Sequence, residues 1–265
     1  MLIGNTRIGG IGSLSIKNTY DADALAYLNA VETADGQALE SSVKSAINTF
    51  VVGCKTDGIW TPIKASCILA GARTLTGALV PLAGTAPTNS GFVSGDYNRK
   101  TGLLGPGATK YLNSNRQNDA DPQNSKHMCV YCTESPTRDS TRTHIGTQNG
   151  AGNSLLFSQT TVISFRVNFA SPPPTVPFAG SFTGLFGATR YSSTGVNYIL
   201  NGSIGTADHS STSPVSNTIY VFANGSSLTQ FSNARISFYS IGENINLSLL
   251  NSRITTLMTT LNALL

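Results

Sequence analysis

Charge is what this sequence has least of. Charged residues make up 11% of the chain, against about 25% in an ordinary soluble domain. The 17 Lys and Arg exceed the 13 Asp and Glu by 4, and the excess is spread out with no basic block. A nucleic-acid-binding face needs clustered Lys and Arg, so that class is excluded. Long apolar runs are missing as well. No stretch approaches the roughly 18 residues of a membrane-spanning helix, so no membrane insertion is expected. Residues 1–14 lack the apolar core of a secretion signal, which makes the four cysteines expected thiols rather than disulfides. With three histidines and no Gly-x-Ser-x-Gly, nucleophilic catalysis finds no support.

What is present is a folding composition. Hydrophobic residues reach 40% and Gly numbers 26, and the mean hydropathy is -0.01. A surface made of neutral hydroxyls and amides suits contacts with other protein copies or with sugars. Residues 1–20 read as an extended arm. Its apolar residues Ile3, Ile8, Ile11 and Leu14 are separated by Gly4, Gly9, Gly10 and Gly12, so they form no local core and would anchor the chain on a neighbour.

Residues 21–83 read as a small helical subdomain. Ala24, Leu25, Leu28 and Val31 share one face of a run opened by Asp21 and closed by Gly36. A second run, 37–55, repeats Leu39, Val43, Ile47, Phe50, Val51 and Cys54 at helical spacing. Thr61-Pro62 reads as an N-cap with proline in the first turn, opening a helix over 63–70. A short helix over 73–80 follows. Trp60, the only Trp, is a core anchor at a helix junction.

From 84 to 242 the pattern is all-β. The clearest strand is 161–169, where Ile163, Phe165, Val167 and Phe169 alternate with Ser164, Arg166 and Asn168. Others are expected at 110–114, 126–133, 143–145, 155–158, 185–190, 196–201, 218–223 and 235–241. Short strands with turns every ten or so residues predict an antiparallel jelly-roll β-sandwich.

Residues 243–265 form a helix with almost no charge. Leu247, Leu250, Ile254, Leu257, Leu261 and Leu264 fall at steps of three and four, with Asn246 as N-cap. This stripe serves either as packing onto the same chain or as an oligomer seam. Leu249 and Met258 widen it beyond a two-residue seam, which suits docking.

Among candidate metal ligands, His127, Cys129 and Cys132 share one strand. There His127 and Cys129 point one way and Cys132 the other, so the three cannot converge on one zinc. Met128, Val130 and Cys132 are then core. Asp119 and Asp121, with Asn115, Asn118 and Asn124, make an oxygen-rich loop of the kind calcium prefers, although without EF-hand spacing. Asp208-His209-Ser210 is contiguous, and a triad's members must instead converge in space.

Residues 238–265 (FYSIGENINLSLLNSRITTLMTTLNALL) resemble the closing segment of a family of phage and prophage virion proteins. The phrases DYNRKTGL at 96–103, KYLNSNR at 110–116, DPQN at 121–124 and DGQALE at 35–40 are similar to the same family. The family ends in a jelly roll like laminin-G and concanavalin A-like lectins. The resemblance implies a non-enzymatic virion component assembled in the host cytoplasm. It implies a tail fibre or baseplate-associated protein whose lectin-like domain meets host-surface carbohydrate. Other virion proteins and further copies of itself are the expected partners. A capsid decoration (cement) protein and a carbohydrate-active enzyme are the alternatives. No cofactor is expected from the residues. Calcium enters only because laminin-G-like domains often bind it.

Overall fold

The computed structural model describes residues 20–149, 152–169, 175–225 and 227–265. Ile3, Ile8, Ile11 and Leu14 lie outside the described residues. The chain begins with α1 (Ala22–Asp35) and α2 (Ser41–Thr56), then β1 (Ile63–Ile68) and the single turn α3 (Leu75–Ala78). Next come β2 (Thr88–Ser90), β3 (Tyr97–Asn98), β4 (Gly102–Leu104), β5 (Tyr111–Gln117), β6 (Lys126–Glu134) and β7 (Arg142–Thr147). They are followed by β8 (Asn153–Ser158), β9 (Val162–Phe169), β10 (Thr175–Pro177), β11 (Gly184–Arg190), β12 (Val196–Leu200) and β13 (Ser203–Thr206). β14 (Thr218–Val221), β15 (Arg235–Gly242) and α4 (Leu247–Leu264) complete it.

The mainly β class with helices before and after the strands holds. Two antiparallel sheets face each other. One has eight strands in the order β13-β12-β11-β6-β15-β4-β3, with β1 also on β15; the other has seven, β10-β9-β8-β7-β14-β5-β2. β15 is the hub. One edge pairs with β6, and the other is shared between β4, at Arg235 and Ile236, and β1, from Phe238 to Gly242.

The helix expected over 63–70 is therefore corrected to strand β1, with Ile68 opposite Phe238 and Ser66 opposite Ser240. Ala65, Ser66, Cys67 and Ile68 are all buried. A segment buried on both faces has no period to read, and the ladder with β15 decides its state.

The space between the sheets is filled by alternation. Ile163, Phe165 and Val167 of β9 meet Met128, Val130 and Cys132 of β6 and Phe186 of β11 in one cluster. The other face of the eight-stranded sheet is covered by helices. There Cys129, Leu185, Ile199 and Phe238 join Leu28, Ile47, Phe50, Leu250, Ile254 and Leu261 in a second cluster. Phe50 of α2 meets Phe238 edge-on, with ring centroids 6.0 Å apart. The result is a three-layer arrangement of helices, sheet and sheet.

Local signals in the helices hold. The Asp21 carboxylate accepts from the Asp23 amide, and Gly36 closes α1 in the left-handed region at φ 64°. The second helix starts at Ser41 rather than 37, because the Glu32 carboxylate holds the Leu39 amide (2.9 Å) in the connection. Asn246 caps α4 by accepting from the Leu249 amide. Leu247, Leu250, Ile254, Leu257 and Leu261 are buried within the chain, joined by Met258. Leu264 departs from the stripe and is 42% exposed. It reaches only a groove beside α2, where the facing turn offers Ser42 and Ser45. Among the described residues no helix is long and apolar enough to cross a membrane.

Candidate functional site

The helices leave one edge of the eight-stranded sheet open, and a cleft of about 400 Å³ forms there. Its floor is Thr189, Asn197 and Ile204 from β11, β12 and β13; its wall is the turn from Asn244 into the first residues of α4; Tyr191 stands at the lip. Thr189 and Asn197 are paired neighbours across β11 and β12. The Thr189 hydroxyl donates to Asn244 Oδ1 (2.8 Å) and accepts from the Ile245 amide (3.1 Å), which ties wall to floor.

Tyr191 is 47% exposed. Its ring lies over Gly195, where a Cβ would come within 2.3 Å of it. The turn beneath is closed by the Ser192 hydroxyl, which accepts from the Gly195 amide at 2.7 Å. Under that turn Arg190 is fully buried. Its guanidinium donates to the carbonyls of Val167 (2.8 Å), Ser192 (3.1 Å), Ser193 (3.2 Å) and His209 (3.1 Å). Burial lowers its pKa to about 10; the four carbonyls take up Nε and one terminal nitrogen, and the other terminal nitrogen is buried without an acceptor among the described residues. Arg190 thereby positions Tyr191.

Every residue lining the cleft is uncharged. Amides and hydroxyls supply donors and acceptors, and the ring supplies a flat apolar face. That set suits a neutral polyhydroxylated ligand. It lacks the paired titratable groups of general acid–base chemistry. Sequence reasoning did not single out Tyr191, Asn197 or Asn244. They come from separate segments, and the available signal was an aromatic placed just past a strand end, before the Ser- and Thr-rich turn 192–195.

The residues weighed from sequence lie elsewhere. His127 is fully buried. Its Nδ1–H donates to the Glu243 carbonyl, and Nε2 accepts from the Ser240 hydroxyl at 2.7 Å. Burial depresses its pKa to about 4. Cys129 faces the helices while Met128, Val130 and Cys132 face the sandwich interior, as expected. All four cysteines are buried free thiols. Burial raises Cys54, Cys67 and Cys132 to about 12 and Cys129 further. Among the described residues no three His, Cys, Asp or Glu side chains gather in a metal-holding group.

The polar side chains of the 115–124 loop bond to separate partners and do not converge. The Asn115 amide donates to the Ala86 carbonyl, the Asn118 amide to the Gly152 carbonyl, and Asn124 Oδ1 accepts from Ser211. Asp121, 3% exposed, binds the Arg116 guanidinium and lies 3.5 Å from Lys126 Nζ. Burial pushes the Asp121 pKa up, but the two cations outweigh that and hold it below the usual range. Lys126 Nζ also donates to the Asn118 carbonyl at 2.8 Å. Asp208 accepts from the Val196 amide and His209 donates to the Ala207 carbonyl, so these two neighbours serve the backbone separately. Asp96, Glu134, Asp139 and Glu243 each pair with a basic residue.

No family model and no curated protein matches this chain. Among solved structures it is similar to the CBM40 module of the Ruminococcus gnavus IT-sialidase bound to α2,3-sialyllactose. The identity is 8%, covering 49% of this chain and 82% of that one, with a TM-score of 0.39. It is similar to the binding domain of botulinum neurotoxin serotype D, at 12% identity over 72% of this chain and 50% of that one, TM-score 0.48. It is similar to Trypanosoma rangeli sialidase, at 10% identity over 80% of this chain and 38% of that one, TM-score 0.48. The chain thus spans about half or less of the neurotoxin and sialidase chains it matches.

Proposed function

We propose that this chain is a non-enzymatic attachment component of a phage virion, and that its β-sandwich binds a neutral host-surface glycan in the cleft between Tyr191 and the start of α4. One observation carries the binding site. The cleft is lined entirely by uncharged residues, with three asparagines and an exposed tyrosine ring seated on a turn whose carbonyls a buried arginine holds. Sugars present hydroxyls to amides and C–H faces to rings, and such a ligand needs no charge to be held. The virion setting rests on the phrases at 35–40, 96–103, 110–116, 121–124 and 238–265.

Titration of the full chain with a panel of neutral and sialylated oligosaccharides tests the site. A neutral glycan is expected to bind, and Tyr191→Ala and Asn197→Ala are each expected to weaken it about tenfold or more. Binding that survives both substitutions unchanged would remove the cleft from the account. A search of purified phage particles for this chain by mass spectrometry tests the setting independently.

A further inference from the structure

The apolar stripe of α4 is spent inside the chain, and a different surface remains outside it. Between α4 and α2 runs a groove of about 380 Å³. Phe50 and Leu257 lie at its base, Thr49 and Thr256 on its two sides, and Leu264 at one end. Leu264 and, on α2, Val52 are each 42% exposed. Every charge on these two helices is engaged within the chain. Arg253, the only charged residue of α4, holds both oxygens of Asp57 at 2.7 Å. Lys44 pairs with Glu32, and Lys55 pairs with Asp21 and Asp23.

We propose that this groove is the contact between two copies of this chain, related by a two-fold axis that brings Leu264 of one copy into the groove of the other. Three points favour a second copy as the occupant. A two-fold contact sets a surface against itself, so like charges would meet; the one charge lining this groove, Arg253, is paired with Asp57 of its own chain, which limits that repulsion. The exposed apolar side chains beside the groove gain cover. The area is sufficient: helices of 16 and 18 residues are about 24–27 Å long, and spaced about 10 Å apart they present a face of about 500 Å² per copy. Two such faces bury about 1,000 Å², the lower bound of a specific interface, so the pairing is reversible.

Sedimentation velocity of the full chain over a wide concentration range tests this. A monomer–dimer equilibrium is expected. Thr256 is exposed, so a charge there leaves the fold in place. Thr256→Glu and Thr256→Lys are each expected to weaken the dimer about tenfold or more, because each sets like charges against each other. Mixing the two variants is expected to restore association. Gln117→Glu, on the other sheet, controls for charge alone and is expected to behave as wild type. A wild-type chain that stays monomeric throughout would overturn the proposal. So would either Thr256 variant associating as wild type does, or a mixture that fails to regain the dimer.

Discussion

His127 and Ser240 meet at 2.7 Å across the ladder between β6 and β15, with the hydroxyl donating to an imidazole that is kept neutral. His144 sits the same way in the second sheet, between Ser232 (2.8 Å) and Ser158 (3.0 Å), edge-on to Phe182 and Phe186. Burial lowers their pKa values to about 4 and about 3. In the unfolded chain both return to about 6.5.

Stability is therefore expected to fall as the solution is acidified. Below about pH 6.5 the unfolded chain takes up protons that the folded chain refuses, which costs about 1.4 kcal/mol per pH unit for each histidine. The contribution is fully present above the unfolded value and is lost as pH falls toward the folded ones. Carboxylates add their own loss only below about pH 4.5, so the window from about 6.5 to 4.5 reports the histidines. Urea midpoints measured through that window should decline steadily, and a His144→Gln variant should decline less steeply. A flat profile would contradict the buried neutral assignment.

The α4 stripe divides by burial. Leu250 is fully buried and Leu264 is 42% exposed. Leu250→Ala is expected to cost about 2–5 kcal/mol, through lost transfer energy and the cavity left behind. Leu264→Ala is expected to stay within about 0.5 kcal/mol, as surface substitutions do. Denaturation of the two variants at one low protein concentration makes the comparison. Equal losses would mean that the sixth stripe position is buried after all.

Asp121 and Lys126 form a buried pair with Arg116 at its edge. Removing only the carboxylate leaves an ammonium inside the protein without its counter-charge. Asp121→Ala is expected to cost about 3–5 kcal/mol, the range for breaking a buried pair. The double variant Asp121→Asn, Lys126→Met is expected to lose less than Asp121→Ala alone, because neither charge is then stranded. Additive losses from the separate substitutions would show that the two side chains act independently.

Much of the sandwich was legible because its longer strands are apolar runs bounded by turn residues, with the apolar and polar residues of β9 alternating in sequence. β9 was read within a residue, and the expected strands over 126–133, 185–190, 196–201 and 235–241 match β6, β11, β12 and β15 closely. The elements that sequence did not reveal are very short or, as with β1, carry the signals of another state in Thr61-Pro62 and Gly71. β1 is buried on both faces, and β3, β4, β10 and β13 run to four residues at most. Their strand state comes from partners far away in the chain. The cleft was illegible for a related reason. Tyr191, Asn197 and Asn244 are ordinary polar residues of three segments, and only the packing of α4 beside β11 makes them one surface.

The position of β15 governs when the fold can close. It is the strand to which β1, β4 and β6 are all bonded, and it lies close to the end of this sequence. On a ribosome residues 20–234 are all synthesised before any of β15 exists. Until then β1 and β6 have no shared neighbour, and only the β6–β11–β12–β13 part of the sheet can offer the helices a face. The eight-stranded sheet is therefore completed only once β15 is present, through contacts of long sequence separation, which slows folding and leaves the β1 and β6 edges open to other nascent chains in the meantime.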